Sequence, residues 1–157
     1  MGNIKNTMKY IAHRGLLDGP NSELENHPDT VNKAIAMGFD VEVDIWYVND
    51  IWYTGHDNPT YEITKDFLYN KKLWIHCKNL EALHYLSGMN LQYFWHQNDD
   101  FVLTSNNYIW TFPGKPLTDR SIMVLPENID SELNNIHVNC YGICSDYIKT
   151  IKERLSV

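Results

Sequence analysis

The stretch Gly38-Phe39-Asp40-Val41-Glu42-Val43-Asp44-Ile45-Trp46-Tyr47-Val48 decides how the rest of the chain is read. Gly38 ends a helix that opens at Asp29 or Thr30, whose short polar side chains suit the unsatisfied N–H groups of a first turn. That helix carries Val31, Ala34 and Ile35 on one face. Residues 41–48 are β-branched and aromatic and read as a strand. Before the helix, Tyr10-Ile11-Ala12-His13 reads as a short buried strand, closed by Gly15 and a polar loop through Asn26. Strand, helix, strand implies parallel strands joined by a crossover helix.

Further along, Asp50 turns the chain into Ile51-Trp52-Tyr53-Thr54, which leads to Gly55-His56-Asp57. Thr64 caps a short helix through Asn70, residues 73–78 form the next strand, and Asn79 caps a helix with Leu80, Leu83 and Leu86. Beyond Gly88 the extended runs 93–96, 108–111 and 122–125 follow at short spacing. Residues 141–144 give a last strand, and Ser145 caps a terminal helix with Ile148, Ile151 and Leu155. With no repeat or linker, residues 1–157 read as one domain. A full eightfold barrel takes about 200 residues or more, and this length allows roughly 20 per unit. The expectation is an α/β fold, a compact, shortened TIM-type (β/α) barrel with several helices reduced or missing in the second half.

Composition narrows the function. The chain is 43% hydrophobic and 21% charged, which excludes disorder. Thirteen Lys and Arg against 20 Asp and Glu give a net charge of −7. That argues against nucleic acid as a stable partner and against an anionic membrane, and leaves room for a metal ion or a small phosphorylated ligand. Cys77, Cys140 and Cys144 have no zinc-ribbon spacing, so reduced thiols in a cytoplasmic compartment are the simplest reading. No apolar run reaches the roughly 18 residues of a membrane span, so no membrane anchor is expected. Gly2 is followed by Asn6 where an acylation signal wants Ser or Thr.

Side chains alternate along a strand, so Glu42 and Asp44 share one face while Val41, Val43 and Ile45 share the other. Two buried carboxylates so close together repel each other unless a hard cation satisfies their oxygens. A solvated edge, or pairing with Arg14 or Lys78, would serve as well. Parity also groups Trp74, His76 and Lys78 on one face of the next strand. His13-Arg14 closes the first strand, and Gly55-His56-Asp57 closes another. Strand after strand ends in His, Arg, Glu, Asp or Lys, and parallel α/β folds build their sites at those carboxyl ends. Two histidines, two carboxylates and two cations suit acid–base cleavage of a phosphodiester, the cations holding the phosphate and a metal polarising its oxygens. The chain has no P-loop, no G-x-G-x-x-G and no G-x-S-x-G elbow.

Taken in order, IAHRG, Glu25-Asn26, the segment from Gly38 to Asp44, Asp50 and His56-Asp57 resemble the glycerophosphodiester phosphodiesterases, a family of phospholipase-C-like barrels. The late Gly142-Ile143-Cys144-Ser145-Asp146-Tyr147 is similar to that family's last strand. The resemblance implies an acid/base pair in His13 and His56, phosphate ligands in Arg14 and Lys78, and metal ligands in Glu42 and Asp44. It implies magnesium or calcium as the ion, and a small phosphodiester as substrate with a cyclic phosphate on one route. This chain departs from the family at His76, which stands where a third carboxylate is expected. An imidazole there adds manganese or zinc to the choice, and it motivates a second reading, a non-catalytic protein that binds a phosphorylated ligand. Trp95-His96-Gln97, Trp110 and Pro113-Gly114-Lys115 would line the mouth of a closed barrel.

Overall fold

A computed structural model describes residues 8–136 and 139–156; Gly2 and Asn6 of the acylation reading lie outside them. Strand β1 (Lys9–His13) leads through helix α1 (Pro28–Ala36) to the long strand β2 (Asp40–Val48). Strands β3 (Ile51–Thr54) and β4 (Tyr61–Ile63) follow, then β5 (Leu73–Cys77), α2 (Leu80–Ser87) and β6 (Tyr93–Phe94). The remainder is β7 (Phe101–Leu103), β8 (Ile109–Thr111), β9 (Ser121–Val124), β10 (Gly142–Ser145) and α3 (Ile148–Leu155).

Seven strands run parallel in the order β6-β5-β2-β1-β10-β9-β8, with β7 antiparallel on β8. The first half of β2 lies between β1 and β5, and where β1 stops, the antiparallel β3-β4 hairpin takes over that edge. The whole forms a curled half-barrel of 10 strands.

This corrects the expected shortened TIM-type barrel. Of the connections between successive parallel strands, only β1→β2 and β5→β6 carry an α-helix among the described residues. The reason is local chemistry. Residues 112–120 hold Pro113, Gly114 and Pro116 in a stretch too short for a helix and two turns. Residues 126–136 begin with Pro126 and are rich in Asn and Asp, poor helix formers. The β2→β5 link spends its length on the hairpin instead.

Smaller corrections concern the helix ends. The cap of α1 is His27, whose Nδ1 accepts from the Asp29 N–H, with Pro28 in the first turn where its missing N–H costs nothing. Asn79 caps α2 as expected, accepting from Ala82 N at 3.1 Å. Ser145 belongs to β10, and Tyr147 opens α3 without a side-chain cap. The short strands β4 and β7 carry too few residues to show a period in the sequence.

The strand parity holds. Val41, Val43, Ile45, Ile75 and Cys77 lie in the outer core under α1 and α2, and Ile143 of β10 with Ile148 and Ile151 of α3 belong to the same layer. On the concave face Ile11, Trp74, Phe94, Trp110, Ile122 and Cys144 pack together. Phe94 and Trp110 stack with ring centroids 4.6 Å apart. Trp110 is thus core and also floors the cavity described next, whereas Trp95 is exposed. Among the described residues no helix is long and apolar enough to cross a membrane.

Candidate functional site

Above the concave aromatic layer, at the carboxyl ends of the parallel strands, lies a cavity of about 370 Å³. His13, Arg14, Glu42, Asp44, His56, His76 and Lys78 all line it, so every residue given an acid–base, phosphate or metal role from the sequence meets there. His96, Gln97, Trp110 and Pro113 join them from the expected rim; Gly114 and Lys115 instead line a different groove.

Register builds the centre. Asp44 on β2 lies opposite His76 on β5, and His13 on β1 lies opposite Glu42. The His76 Nδ1 atom is 2.9 Å from Asp44 Oδ1 and 3.9 Å from Glu42 Oε1. One donor atom from each of Glu42, Asp44 and His76 fits within 4.8 Å of the others. Glu42 and Asp44 are 2% and 1% exposed, which removes the solvated-edge alternative. Pairing with Arg14 is real but partial, its Nε lying 3.5 Å from Asp44 Oδ2. Lys78 pairs with no carboxylate among the described residues and faces the cavity.

The two carboxylates titrate apart. Burial raises the Glu42 pKa and the neighbouring Asp44 charge raises it further, against the pull of His13 and His76. For Asp44 burial acts upward too, but hydrogen bonds from His56 and His76 and the charges of His76 and Arg14 override it. Its carboxyl sits well below the usual range. His76 is shifted upward: burial opposes its charge, and the bond to Asp44 and the two carboxylate charges outweigh burial. Its Nε2–H donates to the His96 carbonyl at 3.0 Å, so the ring offers Nδ1 to the carboxylates, as a proton carrier or as a lone pair. Metal-binding histidines are commonly held by such an outer hydrogen bond. The donor set therefore fits a divalent cation, and an imidazole among carboxylates suits manganese or zinc at least as well as magnesium or calcium.

His13 donates from Nδ1 to Asp146 Oδ1 at 2.7 Å, which leaves Nε2 facing the cavity, 3.6 Å from Glu42 Oε2. Burial lowers its pKa, yet the Asp146 bond and the Glu42 charge win and the net shift is upward. His56 arrives by the β3 hairpin. Gly55 N–H donates to the Asp44 carbonyl at 3.1 Å, and a Cβ on Gly55 would lie 2.0 Å from the Asn58 oxygen, so only glycine makes that turn. His56 Nδ1 is 2.9 Å from Arg14 Nη2 and 3.4 Å from Asp44 Oδ2. The same nitrogen accepts from the guanidinium when neutral and donates to the carboxylate when protonated.

Two supports were visible only as parts of a motif. Asn26, buried, donates to Asp44 Oδ2 at 2.8 Å and accepts from the Asp44 N–H at 3.1 Å. Glu25 accepts from Arg14 Nη1 at 2.7 Å. Arg14 and Asn26 both hold φ near +60°, at 54° and 61°, a strained backbone of the kind that gathers at functional sites. Asp146 was legible as a polar residue at the end of the last strand, but its role was not. No family model, curated protein or solved structure matches the chain.

Proposed function

We propose that the protein is a metal-assisted phosphodiesterase acting on a small diester. One observation carries this reading: two histidines, two cations and a carboxylate–imidazole triad converge on a single cavity. Glu42, Asp44 and His76 would hold the divalent ion, which when bound supplies positive charge to the phosphate oxygens. Arg14 and Lys78 hold the phosphate by its remaining oxygens. As a phosphate draws the guanidinium away, His56 Nδ1 is released from Arg14 and becomes free to take a proton from the attacking hydroxyl or water. His13, whose proton is favoured by Asp146 and Glu42, gives a proton from Nε2 to the departing alkoxide. Glu25 and Asn26 keep Arg14 and Asp44 in place.

A ligand-binding protein without turnover is the second reading, motivated by His76 in place of a carboxylate. The Asp146–His13 pair weighs against it, because phosphate binding alone has no use for an oriented imidazole.

Phosphorus NMR on a panel of glycerophosphodiesters and nucleotide diesters separates the two, with magnesium, calcium, manganese, zinc or chelator present. A monoester or cyclic phosphate formed by wild type and not by His13→Ala is the expected result. Shifted but uncleaved phosphorus signals under every metal would favour the binding protein.

A further inference from the structure

Asp146 sets which way the His13 ring faces, and the structure also holds what sets Asp146. Leu125 takes φ 47°, and the chain then makes the short turn Pro126–Asn128 that delivers Glu127 against the end of β10. Both Glu127 carboxylate oxygens lie 2.8 Å from Ser145 Oγ, and Oε2 also accepts from the Asp146 N–H at 3.1 Å. Ser145 is fully buried, and its Oγ accepts from the Tyr147 N–H at 2.9 Å, so its single proton goes to Glu127. The Asp146 carbonyl accepts from Gly19 N at 2.8 Å. The Asp146 backbone is therefore gripped from both sides, and its side chain is left to meet His13. Among the described residues no Lys or Arg pairs with Glu127; its partners are one O–H and one N–H on the two residues that finish the last parallel strand.

We propose that Glu127 is a positioning residue for the proton transfer: by fixing Asp146 it keeps Nδ1 of His13 as the donor to Asp146, so that the proton to be given sits on Nε2 facing the cavity and the neutral ring left once it has gone is the Nδ1–H tautomer. An unconstrained neutral histidine favours the opposite, Nε2–H tautomer, and the partner of one ring nitrogen decides which form is present. The catalytic meaning rests on the phosphodiesterase reading; the geometric claim does not.

The test is the nitrogen chemical shifts of the neutral His13 ring in protein labelled with ¹⁵N-histidine. Wild type should show a pyrrole-like Nδ1 and a pyridine-like Nε2. E127A should relax to a mixture dominated by Nε2–H. E127Q should restore the wild-type pattern, because one amide oxygen at the Oε2 position can still accept from both Ser145 and Asp146. A merely structural glutamate would not move a tautomer and recover it this way. An E127A ring that stays fully Nδ1–H overturns the proposal. Should E127A fail to fold, E127D, which withdraws the carboxylate by one methylene, carries the same comparison with the same two outcomes. On a diester that wild type cleaves, E127A should lower kcat on the order of tenfold with KM held; a raised KM with kcat intact would contradict it. Because the tautomer is read without turnover, a wild type that cleaves no diester would count against the phosphodiesterase reading while the tautomer still decides Glu127.

Discussion

Strands β1 to β6 and strands β7 to β10 share one sheet, yet they contribute different things to the cavity. The first set is covered outside by α1 and α2 and supplies His13, Arg14, Glu42, Asp44, His56, His76 and Lys78. The second set has no crossover helix among the described residues. Leu117, Leu133 and Ile136 from irregular connections pack on its outer face, a groove of about 780 Å³ stays open between them, and Phe101 and Leu103 are exposed on β7. What it brings is neutral or indirect: Trp110, Asn128, and the Glu127–Ser145–Asp146 chain that reaches His13. The candidate reactive groups thus sit in the half braced by crossover helices, alongside the supports Glu25 and Asn26, whereas the second half contributes support alone, through Glu127, Ser145 and Asp146. A short chain can shed helices where side chains need only support others.

The sharpest way to break this division is at the two histidines. His13→Ala and His56→Ala should each lower turnover on the order of a hundredfold or more with the fold kept, since on the proposed mechanism each would move a separate proton. A variant of either that cleaves at the wild-type rate breaks the acid–base assignment. Next comes stability. Leu86, fully buried on α2, should cost about 2–5 kcal/mol when cut to Ala, whereas exposed Leu103 on β7 should cost less than about 0.5 kcal/mol, both read by urea unfolding. Comparable losses would mean that the outer face of the second half is covered after all.

A subtler effect is in pH. His13 and His76 have folded-state pKa values above the ordinary 6.5. Each therefore contributes stability that is full below 6.5 and lost as pH rises through its raised value. Asp44 has the opposite sign, contributing above 3.8 and losing it only as pH falls through its depressed value. In chelator the melting temperature should decline from pH 6 toward alkaline pH, and a divalent ion, replacing the proton on His76, should flatten the decline. A metal-free melting temperature that climbs over that range would show that the histidines are not held charged.

Much of the first half was legible because its information is local. Parity along residues 41–45 and 73–78 put Glu42, Asp44, His76 and Lys78 on one face, and that face is the cavity. The second half was harder, because Asp146 meets His13 only through the pairing of β10 with β1, where Ala12 lies opposite Ser145. Glu127 depends on the left-handed Leu125, a conformation no pattern announces. The expected shortened TIM-type barrel with helices missing from its second half rests on the first crossover unit, and the structure instead leaves a curled half-barrel, with Pro113, Gly114, Pro116 and Pro126 standing where later helices would have to form.

The central claim is that the braced half holds a divalent cation through two carboxylates and one imidazole. Pulsed EPR of Mn²⁺ titrated into the full chain tests it most directly. One tightly bound Mn²⁺ per chain should show ¹⁴N coupling from a directly bound imidazole, and His76→Ala should abolish that coupling. Mn²⁺ that does not bind, or a nitrogen coupling that persists unchanged in His76→Ala, would contradict the account.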